Sequence, residues 1–378
     1  MVELDAAERL ARLRLARSPG IGPKKYLALL RRFDSARAAV RALPRLIAGG
    51  HWPGVSLAPE EAVERELAAV EAAGAVLLLL GEPAYPRPLA AIADPPPALL
   101  VRGRTELLLR DAVAIVGARN ASGNGRVLAG RMARELAGAG ATVVSGLARG
   151  IDAAAHEAAL DQEGGTMAVV AGGFDVVYPQ ENAALMERIA ADGCILAERP
   201  PGAVPRAGDF PRRNRLIAGL CLGVVVVEAA PRSGSLITAR LAAEQGREVM
   251  AVPGSPLDPR HRGTNQLLRD GAQLVESGAD VLEVLAPMVR RPASVAPSAM
   301  PRRPSREPLA AAPAPTGLAA EGLDADLLAR LGSEPVSVDE LIRQCHASTA
   351  AVQEALAELE LAGALERHPG NRVALRAR

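Results

Sequence analysis

The stretch "AVAIVGARNASGNG", residues 112–125, passes from a continuous apolar run into a loop of small and polar residues. Similar apolar runs recur between segments of helical periodicity: "ATVVSG" (141–146), "TMAVVAGG" (166–173), "CILAE" (194–198), "LGVVVVEAA" (222–230) and "REVMAVPG" (247–254). Strands that are apolar throughout and alternate with helices are typical of a parallel sheet covered on both faces. We therefore predict an α/β fold with a Rossmann-like, doubly wound parallel sheet. Ligands are expected at its carboxyl edge, where these strands end in small or polar residues.

Composition and periodicity divide the 378 residues into four regions. Residues 1–80 form a predicted small helical domain, 81–286 the sheet domain, 287–320 a flexible linker rich in Pro, Ala, Ser and Arg, and 321–378 a winged helix. In the first region a turn at Gly20 and Gly22 precedes Lys24 and Lys25. This turn either offers backbone N–H groups to a phosphate, as in helix-hairpin-helix modules, or simply needs glycine for its geometry.

Net charge, cysteine spacing and the distribution of apolar residues indicate which partners and which compartment to expect. The formal net charge is only +1, so attraction to nucleic acid must come from local clusters of arginine. Cys194, Cys221 and Cys345 lack metal-ligand spacing, and we predict no metal and no cofactor. The N-terminus lacks the apolar core of a signal peptide, and no apolar run reaches the roughly 20 residues that span a bilayer. We expect a soluble, cytoplasmic protein with no membrane partner.

A cluster of arginines marks the stretch "FPRRNRLIAGL", residues 210–220, where an apolar helical pattern begins. Arg212, Arg213 and Arg215 flank Asn214 at a helix N-terminus, which itself carries about +0.5 charge. Arginines there lose roughly 0.3–1 kcal/mol each unless an anion offsets them. The cluster is therefore either an anion-binding site or a solvated charge run paired with neighbours such as Asp209.

Two loops have the composition of anion-binding loops at the sheet edge. After the first strand, Gly117 and Arg119 bring backbone donors and a guanidinium to this edge. In "SGSLITA", residues 233–239, a helix begins with Ser233, Gly234 and Ser235, another small anion cradle. Neither loop carries a dinucleotide fingerprint or a Walker A motif, which excludes nucleotide hydrolases of that kind.

The loop after the second strand, in "VVSGLARGIDAAAHEAAL" (143–160), combines small and titratable residues. Ser145 and Gly146 are predicted to face the ligand. Asp152 is expected to cap the following helix, with His156 one turn later on the same face and Gly150 in the loop, so that the three hold the loop in shape. A catalytic or metal-binding pair is the alternative, but no third ligand is in view.

Aromatic residues are few, and three of the seven fall in loops of this edge. Phe174 and Tyr178 follow the third strand, and Phe210 opens the arginine segment. Bases stack on such rings with roughly 1–3 kcal/mol each, and adjacent arginines follow the phosphate backbone of single-stranded nucleic acid. Phe174 and Phe210 are the predicted stacking platforms, while Tyr178 could equally anchor its loop.

Taken together, these motifs closely resemble the bacterial DNA-processing protein A family over about residues 80–276. The resemblance rests on "IVGARNASGNG", "SGLARGIDAAAH", "GGFDVVYPQEN", "FPRRNRLIAGL", "VVVVEAAPRSGSLITARLAAEQGREVMAVPG" and "GTNQLLRDGAQLV". It implies a non-enzymatic homodimer that binds single-stranded DNA without sequence preference. It also implies that the protein protects incoming DNA in natural transformation and loads the RecA recombinase.

The family's motifs also suggest residue roles. Arg119 matches the DNA-contacting arginine of a Gly-Ser-Arg motif, and residues 212–215 match an Arg-Asn-Arg segment. Two positions depart from the pattern. Ala118 replaces a usual hydroxyl, and Gln180 stands where many members carry a basic residue, so a phosphate contact at that loop is in doubt.

Two functions from other classes compete with this interpretation. A nucleotide N-glycosidase of the lysine-decarboxylase-like group would use Glu228 or Glu198 as its acid, but the Pro-Gly-Gly-x-Gly-Thr loop of those enzymes is absent. A winged-helix regulator would need a basic recognition helix, whereas the candidate helix carries Glu354, Glu358 and Glu360. Weak duplex contact through the wing residues Arg367, His368 and Arg372 remains compatible with the sequence.

Overall fold

A computed structural model describes residues 4–48 and 54–288, and parts of the C-terminal region: 331, 336–338, 341–342, 352, 356, 365–368 and 372–375. The chain separates into two compact units, Met1–Ser294 and Val295–Arg378. The N-terminal helices belong to the same unit as the sheet. The first unit contains every predicted contact for single-stranded DNA.

Nine strands form the sheet of the first unit in the order β1-β2-β6-β5-β4-β3-β7-β8-β9. The strands are β1 Ala75–Leu79, β2 Ala98–Gly103, β3 Ala112–Val116, β4 Thr142–Ser145, β5 Thr166–Val170, β6 Cys194–Ala197, β7 Gly223–Val226, β8 Glu248–Ala251 and β9 Gln273–Leu274. From β6 to β9 all neighbours are parallel, which confirms the predicted doubly wound sheet. The antiparallel strands β1 and β2 extend it at one edge and were not predicted.

Helices cover both faces of the sheet. They are α1 Ala6–Arg17, α2 Pro23–Arg32, α3 Ala36–Ala48, α4 Glu60–Ala72, α5 Arg87–Ala90, α6 Gly123–Gly138, α7 Ile151–Leu160, α8 Ala183–Asp192, α9 Asp209–Leu220, α10 Gly234–Glu244, α11 Arg262–Arg269 and α12 Gly278–Leu285. Along β3, Val113 and Ile115 pack with the core residues of α6 and α7, and Ala114 and Val116 with those of α9 and α10. This alternation explains why the strand is apolar at every position.

The N-terminal helices pack against the sheet through arginines as well as apolar side chains. Arg17 forms a bidentate ion pair with Glu66 and donates to the Glu198 carbonyl at 3.0 Å. In the turn before α2, Gly20 has φ +79°, and a Cβ there would lie 2.4 Å from the Gly54 carbonyl oxygen. The turn itself therefore requires this glycine, whereas Gly22 faces open space at the start of α2.

In the second unit, β10 (Val336–Ser337), β11 (Leu365–His368) and β12 (Arg372–Leu375) form an antiparallel sheet. Most of the predicted linker, Cys345 and the three glutamates at 354, 358 and 360 lie outside the described residues, as do the side chains of Arg367 and His368. Cys194 and Cys221 are buried free thiols. No helix in the described ranges has the length and apolar character needed to cross a bilayer.

Candidate nucleic-acid interface

A crevice of about 680 Å³ opens at the carboxyl edge of the sheet, between the loops that follow β3 and β7. Connections leave these two neighbouring strands in opposite directions along the sheet, and such a switch point is where open α/β sheets bind ligands. Its walls include Arg119, Phe210, Asn214, Ser233 and Gly234. Gly117, Arg213 and Ser235 line it as well, so eight predicted DNA-contact residues share one concave surface.

An exposed arginine and two aromatic rings meet at one side of the crevice. The Arg119 guanidinium carbon lies 5.4 Å from the centroid of the Phe210 ring, a cation–π arrangement. Phe210 also contacts Tyr178, with centroids 5.3 Å apart and planes tilted by 52°. Tyr178 is 47% exposed. The three side chains form a positively charged aromatic surface that a base and its phosphate could contact together.

The arginines at the start of α9 point in different directions. Arg212 is exposed, and no residue within the described ranges hydrogen-bonds or ion-pairs with its guanidinium. It lines a second cavity, of about 280 Å³, together with Arg199 and Gly22. Arg119 and Arg212 therefore line different cavities, and Arg213 borders both of them.

Arg213 is buried, although it borders both cavities. Its Nη1 donates to the carbonyl oxygens of Gly146, at 2.7 Å, and Val169, at the carboxyl ends of β4 and β5. Burial lowers the pKa of Arg213 to about 10, and the neighbouring positive charge of Arg119 contributes in the same direction. The side chain remains charged at neutral pH and ties α9 to two strand ends.

Arg215 is likewise a structural residue. It donates to the Asp94 carbonyl at 2.7 Å and to a carboxylate oxygen of Glu198 at 2.6 Å. The positive charge is satisfied inside the protein, and Arg215 does not line the crevice. Asn214 lines the crevice and joins α9 to α10, because its amide nitrogen donates to the Gly234 carbonyl at 3.3 Å.

Three further predicted contacts are buried. The Ser145 hydroxyl donates to the Ile115 carbonyl at 2.6 Å and is fully buried. A Cβ on Gly146 would lie 2.7 Å from the Arg213 guanidinium, so this glycine makes room for that side chain. Phe174 is 1% exposed within the apolar core. Ser145 and Phe174 are thus framework residues, and Gly146 contributes its backbone to the Arg213 network.

Asp152 and His156 hold the loop between β4 and α7. Asp152 accepts hydrogen bonds from the N–H groups of Gly146 and Ala148 at 3.1 and 3.3 Å, and burial raises its pKa. The N-cap of α7 is Gly150, with φ +78°, and not Asp152 as expected. A Cβ on Gly150 would meet the Ala118 carbonyl oxygen at 2.4 Å, so only glycine fits there.

The hydrogen bonds of His156 define its tautomer. Nε2 accepts from the Leu147 N–H at 3.3 Å, and Nδ1 lies 2.7 Å from the Thr166 hydroxyl oxygen. Because that hydroxyl donates to the Val143 carbonyl, Nδ1 must carry the proton. Burial, with a smaller effect from Arg213, lowers the pKa of His156 to about 3. The neutral ring also supports Leu147, which has φ +54°.

At the start of α10, the Ser233 and Ser235 hydroxyls are 2.8 Å apart, and no side chain of the described residues caps the helix. Gly234 is exposed between them. The backbone N–H groups of Gly234 and Ser235 therefore remain available to an anion in the crevice, whereas the Leu236 N–H donates to the Ser233 carbonyl. Gly117 has a packing role, since a Cβ there would lie 2.6 Å from Ile151.

Comparison with known proteins identifies this arrangement. A family model described as DNA recombination-mediator protein A matches residues 76–286, more than half of the chain. The chain belongs to this family. Models of a DprA-like N-terminal HHH domain and a DprA winged helix domain match residues 6–69 and 308–371. The resemblance predicted from the sequence motifs is confirmed.

Individual members of the recombination-mediator family are similar over much of their length. Protein Smf of Escherichia coli is 38% identical over 319 residues, covering 84% of this chain and 82% of that protein. The DNA processing protein DprA structure from Streptococcus pneumoniae has a TM-score of 0.56 at 42% identity, covering 60% of this chain and 77% of that one. The structure of DprA from Helicobacter pylori, studied for its single-stranded DNA binding mode, has a TM-score of 0.52 at 33% identity. The match covers 57% of this chain and 97% of that one.

Glu228 and Glu198, the two candidate acids of the alternative N-glycosidase function, both bind other groups of the protein. The Glu228 carboxylate is 1% exposed and accepts from the backbone N–H of Ser122 at 2.9 Å. Glu198 pairs with the buried Arg215. Neither carboxyl group is presented to the crevice as a free proton donor. Within the described residues, no group of three or more His, Cys, Asp or Glu side chains could hold a metal ion.

Two residues of the candidate interface, Arg149 and Arg232, were missed in the sequence, and the role of a third, Tyr178, was left open. Tyr178 could equally have been a loop anchor by its pattern, whereas it contacts Phe210. Arg149 lines the aromatic side and pairs with Glu181 at 3.2 Å, and Arg232 is exposed on the crevice wall. The signal that could have found them is position, because Arg149 and Arg232 both follow strands at the carboxyl edge.

Proposed function

We propose that this chain binds single-stranded DNA without sequence preference along the carboxyl edge of its sheet. The observation that carries the proposal is the guanidinium of Arg119 beside the Phe210 and Tyr178 rings, with no carboxylate of the described residues paired to it. A cation next to aromatic faces binds a phosphate and stacks a base of any sequence. The single-stranded DNA binding of the Helicobacter pylori relative supports the same activity here.

The DNA path follows the exposed groups. One phosphate lies in the crevice between Arg119 and the first turn of α10, where Gly234 and Ser235 supply backbone donors. The strand then crosses the first turn of α9 to reach Arg212 in the neighbouring cavity. Arg213, Asn214, Asp152 and His156 act indirectly, because they fix the loops that carry these groups.

In the cell, such binding serves DNA recombination. We propose that the protein acts in the cytoplasm as a homodimer, protects incoming single-stranded DNA during natural transformation and hands it to the RecA recombinase. The names of its relatives, DNA processing protein and recombination mediator, support this role. The protein does this without catalysis, and holding a strand by phosphate contacts and stacking requires no reaction on the strand.

The decisive experiment measures the salt dependence of oligonucleotide binding. The double variant Arg119→Ala, Arg212→Ala should bind single-stranded DNA more weakly. The slope of log K against log salt should flatten by about 0.7 for each phosphate interaction that the substitutions remove. Arg188→Ala, which removes a charge from α8 outside both cavities, is the matched control. A folded double variant with an unchanged slope would refute the proposed interface.

A further inference from the structure

The N-terminus of α6 occupies the position where Rossmann-like sheets bind phosphate. This helix follows β3, which borders the switch point between β3 and β7. In nucleotide-binding members of this architecture, a glycine-rich turn between the corresponding strand and helix lets backbone N–H groups approach a phosphate. The N-cap and first turn of α6 consist of similarly small residues, "SGNG" at 122–125.

A carboxylate of the protein itself fills this position. Glu228 extends from the end of β7, and its two oxygens accept from the Ser122 N–H, at 2.9 Å, and from the Ser122 hydroxyl. The same hydroxyl accepts from the Gly125 N–H at 2.8 Å, which completes the cap of α6. The positive end of the helix thus faces an internal anion, as it would face a bound phosphate.

The glycine pattern fits the carboxylate as closely as it would fit a ligand. A Cβ on Gly125 would lie 2.5 Å from a Glu228 oxygen, so only glycine allows the backbone to come this near. His261 lies on the other side, with Nε2 3.9 Å from the carboxylate. The Glu228 carboxylate is held by the N–H and hydroxyl of Ser122, and its side chain is 1% exposed to solvent.

We propose that Glu228 is a specificity residue: it occupies the phosphate position of the fold and so excludes mononucleotides from the sheet edge. A free nucleotide phosphate would have to displace a buried carboxylate with two hydrogen bonds, and it would be repelled by its charge. The anion sites that remain, at Arg119, Arg212 and the start of α10, are exposed and spread over two cavities. The claim that these sites prefer a DNA strand to a mononucleotide rests on the proposed function. The claim that Glu228 blocks the phosphate position does not.

Phosphate binding to Glu228 variants tests the closure directly. Titration calorimetry with inorganic phosphate and with AMP, at constant ionic strength, compares the full-length chain with Glu228→Ala and Glu228→Gln. All three carry Arg119→Ala and Arg212→Ala to remove background binding. The alanine variant should bind both ligands at least tenfold more tightly than the parent. The glutamine variant should gain nothing, because its amide still fills the space.

Two outcomes would overturn the proposal. One is a Glu228→Ala variant that retains the parent's circular dichroism spectrum and binds phosphate no more tightly. The other outcome is competition by AMP on the unmodified protein. In this experiment AMP is added, at constant ionic strength, to the protein bound to a labelled single-stranded oligonucleotide. We expect less than a twofold loss of oligonucleotide affinity at millimolar AMP. Saturable displacement would show that a mononucleotide does bind at the sheet edge and would overturn the proposal, while absence of oligonucleotide binding would refute only the proposed function.

Discussion

At the residue scale, Phe174 and Phe210 have opposite surroundings although both follow strands of the same edge. Phe174→Ala should lower the free energy of unfolding by about 3–5 kcal/mol because it empties a core position, while single-strand affinity stays within a few-fold. Phe210→Ala should reduce affinity by roughly 1–3 kcal/mol, because it removes a stacking surface. Chemical denaturation and fluorescence anisotropy measure the two effects, and Phe210→Trp is the control that should preserve binding. Equal affinity losses in both alanine variants would contradict this separation.

His156 gives a pH-dependent contribution to stability. Its pKa is about 3 in the folded protein and near 6.5 in an unfolded chain. Between these values only the unfolded chain binds the proton, so acidification below about pH 6.5 lowers the free energy of unfolding by up to about 1.4 kcal/mol per pH unit. The raised pKa of Asp152 acts with the opposite sign.

Comparison with His156→Gln separates the two groups. The glutamine amide retains a donor and an acceptor but does not titrate, so Asp152 contributes in both proteins. The difference in unfolding free energy between wild type and variant should shrink as the pH falls from about 7 to 5. A difference that is constant over this range would show that the buried imidazole does not control the pH response.

The directions of neighbouring side chains could not be predicted from the sequence. Arg212, Arg213 and Arg215 form one motif, and local pattern placed all three near the sheet edge. A helix turns by about 100° per residue, since it has 3.6 residues per turn. Adjacent residues therefore face different surroundings, and only tertiary packing decides which one reaches solvent. Arg213 finds strand-end carbonyls and Arg215 finds Glu198, whereas Arg212 remains exposed.

At the element scale, α9 links several strand ends along the carboxyl edge of the sheet. Its side chains reach the ends of β4 and β5 through Arg213, the end of β6 through Arg215, and the start of α10 through Asn214. Arg213→Ala would leave the Gly146 and Val169 carbonyls without this donor and Asp152 without its nearby positive charge. We expect a loss of about 3 kcal/mol or more in unfolding free energy.

The control for this prediction is the adjacent residue. Arg212→Ala removes the same charge from an exposed position of the same helix, so it should weaken DNA binding with a stability change within about 0.5 kcal/mol. Thermal denaturation and oligonucleotide titration of both variants would establish the contrast. If Arg213→Ala proved as stable as Arg212→Ala, the hydrogen bonds of Arg213 to the ends of β4 and β5 would not stabilise the fold.

Elements were predicted with uneven success for a physical reason. All six apolar runs between residues 112 and 254 form strands β3–β8, because parallel strands buried on both faces have a strong signal. Strands β1 and β2 were missed. The run "AVLLL" at 75–79 directly follows α4, and its pairing partner β2 begins only at Ala98. A short apolar segment beside a helix does not reveal by itself that it pairs antiparallel at a sheet edge.

At the scale of the whole molecule, the residues that we propose to contact or support the DNA belong to one compact unit. Met1–Ser294 includes the N-terminal helices, the nine-stranded sheet and both cavities. Arg17 links the helices to the Glu198 carbonyl at the end of β6, close to the site of Arg215. Every residue of the proposed interface therefore lies in the first unit. The second unit has an apolar core of its own, formed by Leu341, Val352, Leu356 and Val373 among others.

This division leads to a prediction for the C-terminal unit. We expect the winged helix to contact a protein partner, because Glu354, Glu358 and Glu360 would repel the phosphates of a groove, although its wing permits weak duplex contact. Truncation after about residue 290 should then leave single-strand affinity within a few-fold, less than about 1.4 kcal/mol.

The full chain and the truncation are compared by anisotropy at several salt concentrations, after their oligomeric states have been measured. Because the salt slope reflects the number of phosphates that the protein neutralises, it should be the same for both proteins. A tenfold loss of affinity with a shallower slope, in a truncation of unchanged oligomeric state, would mean that the second unit itself holds the DNA backbone.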